Sequence, residues 1–190
     1  EDMEARGWDE LDFLFISGDA YVDHPSFAAA LLCRLLESKG YRVGIVPQPD
    51  WRGDGDFLKM GKPRLGVLVG AGNLDSTLAG KTASRKARSM DAYSPGGRRG
   101  LRPDRATLVY CQKARRLFGA TPLIIGGIEA SLRRFVHYDY WSDALRRSIL
   151  IDSQADLLVY GMGERPLLQI AEALSQGQTI RSIRGISGTC

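Results

Sequence analysis

Leu11-Asp12-Phe13-Leu14-Phe15-Ile16-Ser17-Gly18-Asp19 decides the fold. It is an almost unbroken apolar run of strand length, closed by a turn sequence, and so reads as a strand buried on both faces. His24-Pro25-Ser26 then opens a helical stretch, since proline is tolerated in a first turn, and Phe27, Leu31, Leu32, Leu35 and Leu36 recur at helical spacing as far as Lys39-Gly40. The same alternation continues along the chain. Residues 43–46, 64–69, 122–125 and 155–160 read as further strands, and helices are expected near 102–118, from Gly126-Gly127 onward, over 143–149 and over 166–174. Tyr138-Asp139-Tyr140-Trp141 reads as an aromatic connector.

Strands that are continuously aliphatic and alternate with helices imply a parallel sheet covered on both faces. Five strands suit an open, doubly wound α/β sheet, and the chain is too short for an eight-stranded barrel. At 190 residues it can bury an adequate core without staples. With 44% apolar and 25% charged residues it is not a disordered chain, and its net charge of +4 is too mild to mark a nucleic-acid binder. It lacks an apolar run of membrane-spanning length and a signal-peptide core, so a cytoplasmic location is expected. Cys33, Cys111 and Cys190 lie 78 and 79 residues apart, a spacing that fits no metal or redox motif.

One segment breaks the rhythm. Between residues 81 and 105 eight basic side chains (Lys81, Arg85, Lys86, Arg88, Arg98, Arg99, Arg102 and Arg105) face two acids, Asp91 and Asp104, and Ser94-Pro95-Gly96-Gly97 interrupts them. This reads as a long basic excursion, about 77–105, either a solvated loop or a nucleic-acid contact with Tyr93 available to stack on a base.

In an open parallel sheet ligands bind at the carboxyl edge, beside the switch in strand order. Four of the five expected strand ends carry glycine together with an acid or amide: Gly18-Asp19, Gly70 to Asp75 through Asn73, Gly126-Gly127-Ile128-Glu129, and Gly161-Met162-Gly163-Glu164. Asp19, Asn73, Asp75, Glu129 and Glu164 are therefore candidates for ligand binding, against the plainer roles of tight turns and helix caps. Arg133, His137 and Asp139 join them from the densest polar and aromatic cluster, where His137 beside Asp139 reads either as an acid/base pair or as part of a packing wall. His24 fits a cap at a helix start. The sequence shows no GxSxG or P-loop pattern, and Gly161-Met162-Gly163 only partly resembles a dinucleotide-binding turn.

Several of these blocks, from Ser17-Gly18-Asp19-Ala20-Tyr21-Val22-Asp23-His24-Pro25 through Gly72-Asn73-Leu74-Asp75-Ser76 and Arg102-Pro103-Asp104 to His137-Tyr138-Asp139-Tyr140-Trp141 and Tyr160-Gly161-Met162-Gly163-Glu164, resemble the N-terminal region of the YgiQ-like radical SAM proteins over about residues 8–188. The resemblance implies a flavodoxin-like or cobalamin-binding-like domain over 1–188, with 189–190 beginning a further domain: a radical SAM barrel that carries a [4Fe–4S] cluster on CxxxCxxC and uses S-adenosylmethionine. That motif is absent here, so cluster, SAM cleavage and catalysis are expected of the longer parent and the downstream domain is the expected partner. The Gly126-Gly127-Ile128-Glu129 turn is not the SAM-contacting glycine-glycine-acid motif of the barrel. The DxHxxG pattern of base-off cobalamin ligands is also absent, which argues against that cofactor. The function expected is an accessory domain that positions a substrate or partner over its carboxyl edge; the alternatives are a nucleic-acid module built on 81–105 and a purely structural docking domain.

Overall fold

The computed structural model describes residues 2–190. After a first short helix, α1 (Asp2–Ala5), the chain alternates β1 (Phe13–Ser17), α2 (Ala28–Glu37), β2 (Val43–Pro47), α3 (Gly55–Leu58), β3 (Gly66–Gly70), α4 (Ser76–Gly80), α5 (Ala106–Phe118), β4 (Leu123–Gly126) and α6 (Gly127–Leu132). A hairpin of β5 (His137–Asp139) and β6 (Ala144–Arg146) follows, then α7 (Ile149–Ser153), β7 (Leu157–Leu158) and α8 (Glu164–Ser175). The main sheet is five-stranded and parallel throughout, in the order β2-β1-β3-β4-β7. With the hairpin set aside, this is the flavodoxin-like order, and strand order reverses between β1 and β3.

The period of two along β1 sorts its side chains cleanly. Leu14 and Ile16 join a cluster with Val67, Val69, Tyr110 and Ile125 under α5, whereas Phe13 and Phe15 join Leu68, Ile124, Cys33 and Ile170 under α2 and α8. Both faces are therefore dry, as the continuous apolar runs require. Cys33 and Cys111 are buried on opposite faces and Cys190 is exposed, so the three thiols do not converge. The free edge of β7 is met by the last residues of the chain: Leu158 and Cys190 exchange two backbone hydrogen bonds of 2.9 Å, and Tyr160 N–H donates to Gly188 O at 2.9 Å.

Besides the short helices α1, α3 and α4, which were not expected, and a last strand shortened from 155–160 to Leu157–Leu158, the elements depart from the sequence expectation in two places. The helix expected over 143–149 is instead a strand, and the aromatic connector before it is that strand's partner, registered His137↔Arg146, Tyr138↔Leu145 and Asp139↔Ala144. The buried Asp139 carboxylate organises this hairpin. It accepts Trp141 N–H at 3.2 Å, Ser142 Oγ–H at 2.7 Å and Arg146 Nε–H at 2.9 Å, and pairs with Arg105. Asp143 occupies the left-handed region at φ 51°, as a turn here demands and a helix forbids. The second departure is at α5, which begins at Ala106 rather than near Arg102. Arg105 is left-handed at φ 55°, and Arg102 is drawn into the interior.

Burial pushes the Asp139 carboxyl up, but Ser142, the Trp141 N–H, Arg105 and Arg146 outweigh it and hold the group at about 2. A carboxyl depressed in the folded state stabilises it above the unfolded value near 3.8 and loses that contribution as pH falls through about 2. We expect the hairpin amide resonances of residues 139–146 to keep their dispersion at pH 4 and to lose it between pH 3 and 2 as the carboxylate protonates, whereas Asp139→Asn should abolish that pH step. A step unchanged in Asp139→Asn would show that another group anchors the hairpin.

Candidate functional site

The loops leaving the carboxyl ends of β1, β3, β4 and β7 meet at one edge, and the first two come very close. A Cβ on Gly18 would stand 2.1 Å from Ala71 O, so this crossing of the β1 and β3 turns admits only glycine. Gly72 adopts φ +108°, and a Cβ there would meet Asp19 Oδ1 at 2.0 Å and Arg102 Nη1 at 2.7 Å.

Those two atoms belong to a buried ion triad. Arg102 Nη1 donates to Asp19 Oδ1 at 2.6 Å and to Ala71 O at 3.1 Å, and Nη2 donates to both Asp91 oxygens at 2.9 Å. Arg102 is 7% exposed. Asn73 N–H donates to Asp19 Oδ2 at 2.7 Å, which fills the second oxygen. Burial drives the Asp19 carboxyl above the ordinary value, only partly offset by Asn73 N–H and Arg102. Asp91 is also penalised by burial, yet Arg102, Tyr93 N–H and Ser94 hold it below the ordinary value.

The triad fastens the basic excursion to the sheet edge. Ala20 N–H donates to Tyr93 O at 2.9 Å, and Gln48 Nε2 reaches Ser94 Oγ at 2.7 Å. The other cations of the stretch are also mostly engaged. Lys81 pairs with Asp104 at 2.5 Å, Arg85 donates to Tyr140 O at 2.8 Å, Arg88 donates to Leu78 O and Lys81 O, and Arg105 pairs with Asp139. Tyr93 packs edge-on against Phe27, with ring centroids 6.2 Å apart. An excursion held in this way is ordered along the edge; Lys81, Arg102 and Arg105 are paired with carboxylates, whereas Arg85, Lys86, Arg88, Arg98 and Arg99 are exposed and keep their charge.

Behind it lies a cavity of about 310 Å³ between the carboxyl ends of β1, β3, β4 and β7 and the first turns of α2 and α8. Its walls are mainly apolar, with Phe15, Leu32, Leu68, Ile124, Val159 and Leu167 prominent among them. Of the residues singled out from the sequence, Asp19, Asn73 and Glu164 line it, so three distant stretches of chain meet around one space. Glu129 follows β4 at the same edge but is 1% exposed, and its carboxylate is engaged by Ser76 N–H at 2.8 Å, Ser76 Oγ–H at 2.5 Å and Thr107 N–H at 3.0 Å. It ties α4, α5 and α6 together. Asp75 caps α4 through Thr77 and Leu78 N–H and pairs with Arg133. Arg133, His137 and Asp139 share a small polar crevice with Glu129 and Arg146, apart from the cavity. His137 Nδ1 lies 3.1 Å from Phe135 O and does not contact Asp139 through a hydrogen bond. His24 Nδ1 meets Ser26 Oγ at 2.7 Å and Ser26 N–H at 3.2 Å, consistent with a turn role.

Sequence reasoning missed Arg102, which read as one cation of a basic run. The signal was present in Arg102-Pro103-Asp104: a proline restricts the residue before it to extended backbone, which bars that arginine from the helix. It also missed Phe15, Leu32 and Leu167 as cavity walls, because apolar residues lining a space are indistinguishable in sequence from those packed in a core. Among the described residues, histidines, cysteines and carboxylates nowhere gather in a group of three able to hold a metal ion.

The Radical SAM N-terminal family matches this chain over residues 1–190. UPF0313 proteins of Clostridium botulinum (strain 657) and Geobacter sulfurreducens are 56% identical over 189 residues and 55% identical over 184 residues; these matches cover 100% and 97% of this chain and 30% of each relative. A UPF0313 protein of Clostridium perfringens is 53% identical over 190 residues, covering 100% of this chain and 29% of its own length. The chain thus spans about 30% of the length of the curated relatives it matches. Among solved structures, the radical S-adenosylmethionine methyltransferase TsrM of Kitasatospora setae, with cobalamin and a [4Fe–4S] cluster bound, superposes with a TM-score of 0.59 at 21% identity, over 93% of this chain and 26% of that one. The same enzyme with its tryptophan substrate and a SAM analogue gives 0.58, over 93% and 28%. This likeness is one of fold.

Removing the Arg102 head should expose the cost of the triad. Arg102→Met leaves two carboxylates buried without their cation and is expected to lower unfolding free energy by about 3–5 kcal/mol, measured by urea denaturation. Arg102→Lys keeps the charge but loses the fork to Asp91, so it should fall between the two. In a second, independent test, Glu129→Gln turns an acceptor into a donor facing N–H groups and should cost about 1–3 kcal/mol, while leaving the cavity intact.

Proposed function

The chain belongs to the Radical SAM N-terminal family, and from that premise we propose that it is the accessory domain of a radical SAM enzyme, holding a small ligand in the carboxyl-edge cavity for chemistry performed by the rest of a longer polypeptide. The observation that carries this reading is the position of the cavity, beside the switch in strand order, where open α/β sheets bind ligands. Its volume falls at the lower end of the range for small-molecule sites.

The [4Fe–4S] cluster and S-adenosylmethionine belong, in this reading, to the longer parent. The thiols here lie on opposite sides of the sheet and do not fit a cluster, which needs several thiolates on neighbouring irons. Cobalamin is bound by TsrM. In this chain no imidazole lines the cavity, so a corrin held through a histidine does not fit and no step is assigned to it.

The surface near this edge suits attachment to further protein. Ile128 and Leu132 on α6, with Phe135, Val136 and Leu145 beyond it, are exposed, and soluble monomers rarely leave large apolar patches uncovered. The parent's remaining two-thirds or so is the partner this reading assigns to them.

The test uses a full-length relative carrying its cluster. A small-molecule extract of the source cells is expected to stimulate reductive SAM cleavage by the unaltered enzyme but not by Ala29→Phe, which fills the cavity from the first turn of α2. Cluster absorbance and unstimulated cleavage should stay unchanged. Equal stimulation of both proteins would remove the cavity from the function.

A further inference from the structure

The cavity's polar groups point to the kind of ligand it takes. Its lining contains not one Lys, Arg or His, in a chain with 26 Lys and Arg. The charges that do face it are those of Asp19 and Glu164. Asp19 is neutralised by Arg102, but Arg102 also carries Asp91, so the triad as a whole keeps one negative charge. Glu164 has no hydrogen-bond or ion-pair partner among the described residues, and it contributes a second. Against these stand the starts of α2 and α8, both without a side-chain cap, each worth about half a positive charge. The balance is about one negative charge. An anion placed here would find no side-chain cation, and only the N–H groups of the uncapped helix starts, set against the charges of Glu164 and the triad, to replace its hydration.

Size narrows the class further. A cavity of about 150 Å³ walled by aliphatic side chains accommodates benzene, and this one measures about 310 Å³. The distribution of polarity is uneven. The walls are apolar, while the Asn73 side chain and the Glu164 carboxylate sit on the lining with no hydrogen-bond partners. The free N–H groups at the start of α2 offer donors to a ring nitrogen or carbonyl.

We propose that the cavity selects a flat, largely apolar molecule about two fused rings in size, neutral or cationic and never anionic, with Glu164 as the residue that sets the charge preference. This rests on the reading of the cavity as the ligand site and names the chemistry of what enters it.

The experiment uses the full-length protein and three probes of one shape: 1-naphthalenemethanol, 1-naphthylmethylammonium and 1-naphthoate, with binding followed by equilibrium dialysis. The neutral and cationic probes are expected to bind, and the anion about tenfold or more weakly. Glu164→Gln should remove a cation advantage of about two- to fivefold and leave the neutral probe unchanged. Leu32→Trp, which fills the cavity from its wall, should abolish binding of all three, with Ala29→Phe as the second blocking variant should the first fail to fold. Naphthoate bound as tightly as the alcohol, and displaced by Leu32→Trp, would overturn the charge assignment while leaving the cavity as a ligand site. Binding that survives both blocking variants, or no binding of any probe, would overturn the proposal outright. The extract-stimulated SAM cleavage separates this from the wider reading: cavity-dependent stimulation with no naphthyl binding would leave only the ligand class wrong.

Discussion

Arg102 lies with its guanidinium buried between Asp19 and Asp91, and most of the carboxyl edge is arranged around it. Asp19 ends β1, the Ala71 carbonyl ends β3, and Asp91 belongs to the excursion, so one side chain closes three separate stretches of chain into a rim. A buried charge tolerates few alternatives. Paired on both sides and hydrogen-bonded to a backbone carbonyl it is stable, whereas with a partner missing it costs several kcal/mol. That steep penalty fixes the loop geometry, and glycine is needed at Gly18, where the Ala71 backbone approaches too closely for a Cβ, and at Gly72, where the Asp19 and Arg102 side chains do.

A second buried carboxylate does comparable work. Glu129 takes N–H groups from the start of α4 and the start of α5, the two helices that bracket the excursion. The 81–105 segment is therefore bracketed by helices tied to Glu129, and its middle is pinned at Asp91 by Arg102. Three of its eight cations, Lys81, Arg102 and Arg105, are paired with carboxylates of the same molecule, and the other five are exposed. The segment leaves the apolar cavity beside it reachable from the edge, between the starts of α2 and α8.

Much of this was legible in the sequence. The unbroken apolar run Phe13-Leu14-Phe15-Ile16 and the other glycine-ended aliphatic runs were enough for a parallel α/β sheet, and the turns after those runs placed Asp19, Asn73 and Glu164 at a common edge. Two things were not legible. The hairpin of residues 137–146 read as an aromatic connector followed by a helix, because its stabilising interactions link Asp139 to Arg105 and Arg146, one of them far away in the chain, and local propensity carries no trace of such a pair. The roles of the acids were hidden for a similar reason: Asp19, Glu129 and Glu164 each follow a strand and a glycine, yet they end up in an ion triad, a helix junction and a cavity wall.

What the sequence determined by itself is the layer order, since burying both faces of a sheet demands continuous apolar strands and the chain has five of them. It also determined the family, since the family model matches residues 1–190. Which acid lines the cavity with its carboxylate unpartnered and which is consumed inside the protein was decided only in three dimensions. A carboxylate is free or spent according to the cation or N–H that folding brings to it, and those partners lie 22 to 83 residues away along the chain.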